Sequence, residues 1–122
     1  MIRTWLDENT KVLVQGITGK AASYHTKLMI DYGTKIVAGV SPKTKVEDIH
    51  GVPVYGSVRD AVRDYKVDAS IIFVPADAAA DAIIEAADSL IPFIVCITEH
   101  IPIHDMIKVK AYVENKGVQL VG

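Results

Sequence analysis

The feature of this sequence that most constrains the fold is a short apolar run that ends in two closely spaced glycines. The run Lys11–Gln15 (KVLVQ) is followed by Gly16-Ile17-Thr18-Gly19 and then by Lys20-Ala21-Ala22, which are small or helix-favouring residues. This order predicts a buried strand, a tight turn that needs glycine, and the start of a helix. Such a helix directs unpaired N–H groups and the positive end of its dipole at whatever lies above the turn, and phosphate is the natural ligand there.

The spacing of the glycines leaves two interpretations open. The dinucleotide-binding fingerprint is G-x-G-x-x-G/A, whereas this chain has G-x-x-G-x-x-A with Ala22 in the last position. Two glycines in such a turn also occur for packing reasons alone. Lys20 favours anion binding, because a cation in the first turn opposes the helix dipole by roughly 0.3–1 kcal/mol unless a bound phosphate reverses that penalty. A lysine that reaches into solvent is the alternative.

Short apolar segments alternate with helical segments along the rest of the chain. The predicted strands are Lys11–Gln15, Lys35–Val40, Ala69–Val74, Phe93–Ile97 and Val118–Val121. The predicted helices are Lys20–Asp31, Val58–Tyr65, Asp77–Ser89 and Ile103–Lys116. Val52–Tyr55 is a candidate extra strand, and its proline indicates either an edge strand or no strand at all. This alternation predicts a single α/β domain over residues 1–122, a Rossmann-type, doubly wound, mainly parallel five-stranded sheet with helices on both faces.

The overall composition excludes several classes of protein. A net charge of −2 gives no electrostatic footprint for nucleic acid or an anionic membrane surface. No apolar run approaches the roughly 18–20 residues of a membrane span, and Asp7 and Glu8 lie where a signal peptide would carry its apolar segment. Cys96 is the only cysteine, so there is no internal disulfide. We therefore expect a cytoplasmic protein without nucleic-acid or membrane partners.

Ligands of doubly wound folds bind at the carboxyl ends of the strands, so the residues after each predicted strand are the candidates for a site. After the second strand the chain reads Ser41-Pro42-Lys43-Thr44-Lys45, with no carboxylate to hold a ribose 2′-hydroxyl. Lys43 and Lys45 would suit a phosphorylated ribose, as in NADP or coenzyme A, although a solvated lysine loop is the alternative. Pro75 follows the third strand without charge or bulk, where an adenine or an extended pantetheine arm could lie.

The remaining polar residues give no catalytic or metal-binding pattern. Glu99 and His100 follow the fourth strand, but neighbours in sequence seldom point at one atom, and no motif supplies a nucleophile. The other histidines, His25, His50 and His104, have no ligand spacing relative to one another. We therefore predict no catalytic residue and no metal site in this chain.

Successive motifs make the chain resemble the N-terminal domain of the succinyl-CoA synthetase (succinate–CoA ligase) α subunit from about residue 6 to residue 122. The motifs are D-x-N-T-K-V at residues 7–12, QGITG at 15–19, YGTKIVAGV at 32–40, SPK at 41–43, GVPVYGSVRDAV at 51–62, VP-A at 74–76 and ITEHIPIHDM at 97–106. In that family this domain is a Rossmann fold that binds coenzyme A. The resemblance agrees with the fold and the phosphate site expected from the residues themselves.

Carried over position by position, the resemblance implies that coenzyme A contacts the glycine turn and the segment after the fourth strand. The implied contacts are Thr18, Gly19, Lys20 and Ala21 in the turn, and Ile97, Thr98 and Glu99 after the strand. Gly16, Ser41, Pro42 and Pro75 are expected to border the same groove. The family's P-G-K-G-G loop differs here, because its lysine position is Thr44 between Lys43 and Lys45. His100 replaces the glycine that follows the I-T-E motif.

The resemblance also implies what this chain would leave to other parts of an enzyme. In the family a second domain carries the histidine that is phosphorylated during catalysis, and a β subunit binds the nucleotide. None of the four histidines here matches the phosphorylated one. We therefore expect a binding domain rather than a complete ligase. The alternatives are a stand-alone NADP- or nucleotide-binding Rossmann module and a regulatory or interaction domain.

Overall fold

The computed structural model describes residues 9–42 and 47–121. Within them lie seven strands and four helices. The strands are β1 (Lys11–Gln15), β2 (Lys35–Val40), β3 (Asp48–Ile49), β4 (Val52–Tyr55), β5 (Ala69–Ile72), β6 (Phe93–Cys96) and β7 (Gln119–Val121). The helices are α1 (Lys20–Tyr32), α2 (Val58–Asp64), α3 (Ala76–Asp88) and α4 (Ile103–Asn115). In the part of the chain that the structure describes, no helix combines the length and hydropathy that crossing a bilayer requires.

The strands form one sheet in the order β3-β4-β2-β1-β5-β6-β7. Every pairing in it is parallel except β3 with β4, which is antiparallel. The chain builds outward from β1 to β2 and β4, and then returns to the other side of β1 with β5. This reversal confirms the predicted doubly wound, Rossmann-type fold. It also creates a topological switch point between the carboxyl ends of β1 and β5, which is where such folds bind ligands.

Among the described residues the sheet has seven strands rather than the predicted five, because the β2–α2 connection contains a hairpin. His50 (φ 53°) and Gly51 (φ 84°) both have positive φ, as a two-residue type I′ turn requires, and they join β3 to β4. The candidate strand Val52–Tyr55 is therefore real, but it lies second from the edge rather than at it. Pro53 is tolerated there because its register partner is Asp48 on β3, whereas pairing with β2 begins at Val54.

The helices cover the two faces of the sheet unequally. Leu13 on β1 belongs to the largest apolar cluster, which also contains buried residues of α2, α3 and α4. Its neighbour Val14 points to the other face and packs in a separate cluster with Met29 and Ile30 of α1. The prediction of helices on both faces is thus confirmed, with three helices on one face and α1 on the other among the described residues.

Local signals in the sequence explain where the helices begin and end. The Ser57 side chain accepts a hydrogen bond from the Asp60 N–H and caps α2. Gly33 has φ 105° and follows α1 in a Schellman motif, in which the Thr34 N–H donates to the Met29 carbonyl oxygen at 2.9 Å. Gly117 (φ 72°) ends α4 in the same way.

Candidate functional site

The turn after β1 fits against the end of β5 only because Gly16 has no side chain. Its φ is +82°, and a β-carbon there would lie 3.0 Å from the Val74 nitrogen and 3.1 Å from the Val74 Cγ1. The Gly16 N–H donates to the Val40 carbonyl oxygen at 2.8 Å, which ties the turn to the end of β2. The fold itself therefore requires glycine at this position.

The buried side chain of Ile17 holds the turn against the sheet. It is fully buried and packs with Val14 and Val52 on the α1 face of the sheet. A β-carbon on Gly39 of β2 would lie only 2.5 Å from the Ile17 Cδ1, so Ile17 fills the space that a side chain at position 39 would need. This contact anchors the turn, and with it the start of α1, on the sheet.

Gly19 differs from Gly16, because nothing within the described protein requires it to be glycine. It is the N-cap of α1 with φ −64° and ψ 151°, a conformation that any residue adopts. A β-carbon there would meet the Gly16 carbonyl oxygen at 3.4 Å, an ordinary contact. The missing side chain instead leaves the first turn of α1 open on its outer side, as a ligand that approaches the backbone would need.

The first turn of α1 also has the electrostatic character of an anion site. No side chain in residues 9–42 or 47–121 caps it, and it carries Lys20 and no acidic residue. The first turns of the other three described helices contain Asp60, Asp77 and Asp105, which occupy the positive ends of those helix dipoles. The N–H groups at the start of α1 are therefore free of competing protein charge in the described part of the chain, which favours binding of a phosphate group.

Two hydroxyl hydrogen bonds join neighbouring strand ends on either side of the switch point. The Thr18 Oγ1 lies 2.6 Å from the Ser41 Oγ, which links the glycine turn to the residue after β2. The Thr98 hydroxyl donates to the Val74 carbonyl oxygen at 2.6 Å, which links the segment after β6 to the segment after β5. Both pairs therefore help to set the shape of the carboxyl edge.

The structure brings the described members of the predicted site to one edge of the sheet. Thr18, Gly19, Lys20 and Ala21 are exposed in the turn and the first turn of α1; Pro42 and Pro75 are exposed beside them; and Ile97 and Glu99 are exposed after β6. Ser41 is only 7% exposed, so it supports this edge from beneath. The predicted contacts Lys43 and Lys45 lie outside the described residues.

Three residues with chemically reactive side chains, Cys96, Glu99 and His100, lie at or after the end of β6. Burial raises the pKa of the Cys96 thiol, so the thiol stays protonated at neutral pH and behaves as a small apolar group. His100 is exposed with φ 63°, and Glu99 is also exposed.

The structure places one pair of residues together that the sequence did not connect. His50, in the turn of the β3–β4 hairpin, has its Nε2 3.2 Å from the Ser23 Oγ and 3.1 Å from the Ser23 carbonyl oxygen on α1. The only local signal was the dipeptide His50-Gly51, which is a weaker type I′ turn sequence than Asn-Gly. The hairpin turn is thereby held against the helix that begins at the candidate site.

The sequence matches a protein family over most of its length. Residues 7–100 match the family model described as "CoA binding domain". The chain is also 52% identical over 118 residues to the ADP-forming succinate–CoA ligase α subunit of Staphylococcus epidermidis. That alignment covers 97% of this chain and 39% of the relative, so the chain spans about two-fifths of the length of the curated relatives it matches.

Solved structures share the fold at low sequence identity. An ATP citrate lyase from Methanothrix soehngenii, in complex with citrate and coenzyme A, superposes with a TM-score of 0.75 at 21% identity over 95% of this chain and 21% of that one. The WlbA dehydrogenase from Chromobacterium violaceum, in complex with NADH and UDP-GlcNAcA, superposes with a TM-score of 0.74 at 15% identity over 93% of this chain and 34% of that one. These likenesses establish the Rossmann-like fold.

Proposed function

The chain belongs to the CoA-binding domain family, and from that premise we propose that it holds coenzyme A for a succinate–CoA ligase of which it forms part of the α subunit. The observation that carries this proposal is Gly19, which the described fold does not require and which leaves the N-terminus of α1 open to a phosphorylated ligand. The 52% identity to succinate–CoA ligase α subunits supports the choice of enzyme.

Each part of the site has a distinct role in this proposal. The N–H groups of Lys20 and Ala21 and the Lys20 ammonium group hold the pyrophosphate, because they combine the dipole of α1 with a positive charge. The pantetheine arm runs along the carboxyl edge, where it contacts the uncharged surface at Pro75 and then the segment Ile97–Glu99. Lys43 and Lys45 hold the 3′-phosphate, as their place after β2 favours. The bound coenzyme supplies the thiol that accepts or releases the acyl group.

The domain contributes position rather than bond-making chemistry to the ligase. Holding the coenzyme in one orientation turns an encounter between two molecules into a step within one complex, which is a large part of catalytic power. The phosphohistidine domain and the nucleotide-binding β subunit expected from the resemblance would be its partners in a cytoplasmic enzyme. The acyl chemistry would take place on those partners.

Isothermal titration calorimetry with coenzyme A, dephospho-coenzyme A and NADPH tests the proposal. We expect coenzyme A to bind more tightly than NADPH. Lys20→Ala should weaken coenzyme A binding, whereas Lys66→Ala should not. Lys66 is an exposed lysine that precedes β5 at the opposite edge of the sheet, so it is a matched control.

Two results would overturn the proposal. No heat of binding with coenzyme A would remove the function, and tighter binding of NADPH would favour a nicotinamide-nucleotide module instead. Replacing Lys43 and Lys45 together by Ala tests the assignment of the 3′-phosphate. That change should weaken coenzyme A more than dephospho-coenzyme A, and equal losses would refute the assignment.

A further inference from the structure

The first turn of α1 is the part of the candidate site that the helix by itself fixes least, because the first N–H groups of a helix have no partner within it. The Ser23 N–H donates to the Gly19 carbonyl oxygen at 2.8 Å and closes this turn. Lys20 and Ala21, whose N–H groups we assign to the pyrophosphate, lie between these two residues. A contact that holds Ser23 therefore also limits the motion of those N–H groups.

His50 contacts this first turn from outside the helix. Its Nε2 lies 3.1 Å from the Ser23 carbonyl oxygen and 3.2 Å from the Ser23 Oγ. Because a carbonyl oxygen can only accept a hydrogen bond, the Nε2 carries a proton and donates it. An imidazole has this proton both in its neutral Nε2–H tautomer and in its charged form. The bond therefore joins the hairpin turn to α1 in either protonation state.

The hairpin that carries His50 is itself fixed on the sheet. Val52 at the start of β4 is 4% exposed and packs in one apolar cluster with Ile17 of the glycine turn. Farther along β4, Val54 and Tyr55 pair in parallel with the end of β2. The hydrogen bond from His50 therefore ties the start of α1 to the sheet.

The residue at position 50 suits this contact better than it suits the turn. His50 has φ 53°, and the preferred pair for such a type I′ turn is Asn followed by Gly. An Asn side chain carries its amide nitrogen where an imidazole has Nδ1, so it is too short to replace the bond from Nε2. A Gln side chain carries its amide nitrogen close to the position of Nε2. The chain thus has a side chain that reaches α1 in place of the one that most favours the turn.

We propose that His50 is a positioning residue for the candidate coenzyme site, an inference that rests on the proposed function. Through Ser23 it keeps the first turn of α1 in the conformation that presents the Lys20 and Ala21 N–H groups. A site that is already ordered loses less conformational entropy when the ligand binds. When the bond is absent, the first turn is formed in a smaller fraction of the molecules, and the apparent affinity falls by that fraction.

Two substitutions separate the contact with α1 from the turn. His50→Asn removes the contact and strengthens the turn, whereas His50→Gln keeps a donor at the position of Nε2. Calorimetry with coenzyme A measures the affinity of both variants and of the wild type. Hydrogen exchange of the Ser23 amide measures opening of the first turn. The Thr34 amide, which donates to the Met29 carbonyl oxygen at the other end of α1, is the internal control. Thermal unfolding verifies that each variant keeps the fold.

The affinities of the two variants should follow the contact and not the turn. We expect His50→Asn to bind coenzyme A about 2- to 5-fold more weakly than wild type, the lower part of the range for one hydrogen bond, because His50 is exposed. His50→Gln should bind within about twofold of wild type. The Ser23 amide should exchange faster in His50→Asn than in the other two proteins, while exchange of the Thr34 amide is the same in all three.

The possible results distinguish failure of this inference from failure of the proposed function. A role limited to the turn would give the opposite order, with His50→Asn binding at least as tightly as His50→Gln, and would overturn the inference. Equal affinities of His50→Asn and wild type, or unchanged exchange of the Ser23 amide, would also overturn it while the proposed function stands. If the wild-type protein binds no coenzyme A, both are wrong.

Discussion

Thr18 and Ser41 are 23 positions apart in the sequence, and their hydroxyl oxygens lie 2.6 Å apart in the structure. Thr18 is exposed in the glycine turn, whereas Ser41 is buried at the end of β2 and donates its N–H to the Tyr55 carbonyl oxygen at 2.9 Å. The hydrogen bond between them therefore fixes the turn that precedes α1 relative to the sheet. Ser41 therefore supports the exposed turn through its contact with Thr18.

A double-mutant cycle with Thr18→Val and Ser41→Ala tests this relationship. Because each substitution breaks the same bond, each should lower coenzyme A affinity by about 2- to 10-fold, the equivalent of one ordinary hydrogen bond. The double variant should lose little more coenzyme A affinity than the single variant that binds coenzyme A more weakly. Additive losses would mean that the two hydroxyls act independently.

Gly16 and Gly19 should respond differently to alanine. Gly16→Ala places a residue with a β-carbon at a positive φ and in close contact with Val74, so it should destabilise the fold by more than about 1 kcal/mol. Gly19→Ala should change stability by less than about 1 kcal/mol, because the backbone there accepts any residue. It should nevertheless weaken coenzyme A at least about tenfold, since the methyl group occupies the approach to the helix N-terminus. Urea unfolding and calorimetry measure the two effects, and unchanged binding by Gly19→Ala would contradict the proposed anion site.

The contact between Ile17 and Gly39 makes a prediction about stability alone. Gly39→Ala should cost about 1–3 kcal/mol, because its β-carbon would lie 2.5 Å from the Ile17 Cδ1. Ile17→Ala should cost about 2–5 kcal/mol through the cavity that it leaves. In the double variant the shorter side chain at position 17 leaves room for the methyl group at position 39. The double variant should therefore lose clearly less stability than the sum of the two single losses. Denaturant unfolding measures the stability of all three variants. Strictly additive losses would show that Ile17 does not restrict the side chain at position 39.

The link between α3 and α4 predicts a pH dependence of stability. The Tyr112 hydroxyl donates to the Asp88 carboxylate, and Lys116 lies 3.4 Å from the same carboxylate. The hydrogen bond from Tyr112 lowers the pKa of Asp88, with Lys116 adding to the effect, and the bond to Asp88 raises the pKa of Tyr112. A lowered carboxyl pKa gives stability above the unfolded value of 3.8 that is lost as the pH falls through the folded value. A raised tyrosine pKa gives stability below 10.0 that is lost as the pH rises through the folded value.

Tyr112→Phe removes the hydrogen bond that lowers the pKa of Asp88, and it also removes the titrating hydroxyl of Tyr112. The variant should therefore be less stable than wild type at neutral pH, and the difference should shrink at both acidic and strongly alkaline pH. Unfolding midpoints across the pH range measure it, with Tyr32→Phe as a control on a fully solvated tyrosine. A stability difference that is independent of pH would contradict the assigned coupling.

The parts of the fold that depend on local signals could be predicted from the sequence. β1 and β2 have the predicted bounds, and α1 extends only one residue beyond its prediction, because Gly16, Gly19 and Gly33 mark the turns between them. The hairpin was not predicted in full, because β3 has only two residues and shows no alternation that a pattern could reveal. The extra strand β4 was recognised, but its place second from the edge depends on that hairpin.

The candidate site was predictable where it follows from strand order and not where it follows from tertiary contact. Parallel strands bring their carboxyl ends to one edge, so the residues after β1, β2, β5 and β6 could be placed together in advance. The contact of His50 with Ser23 joins residues 27 positions apart through the hairpin, and no motif connects them. Likewise, a continuous apolar run such as that of β5 does not reveal which element covers each face of the strand.

Binding of coenzyme A at the carboxyl edge of the sheet can be mapped by titrating the isotope-labelled chain with coenzyme A and following its backbone amide NMR signals. The largest shift changes should fall on residues 18–21, on the amides flanking Pro75 and on residues 97–99, which all lie at the carboxyl edge of the sheet. Changes centred on the amino edge, near Lys35 and Lys66, or no changes at all would contradict it.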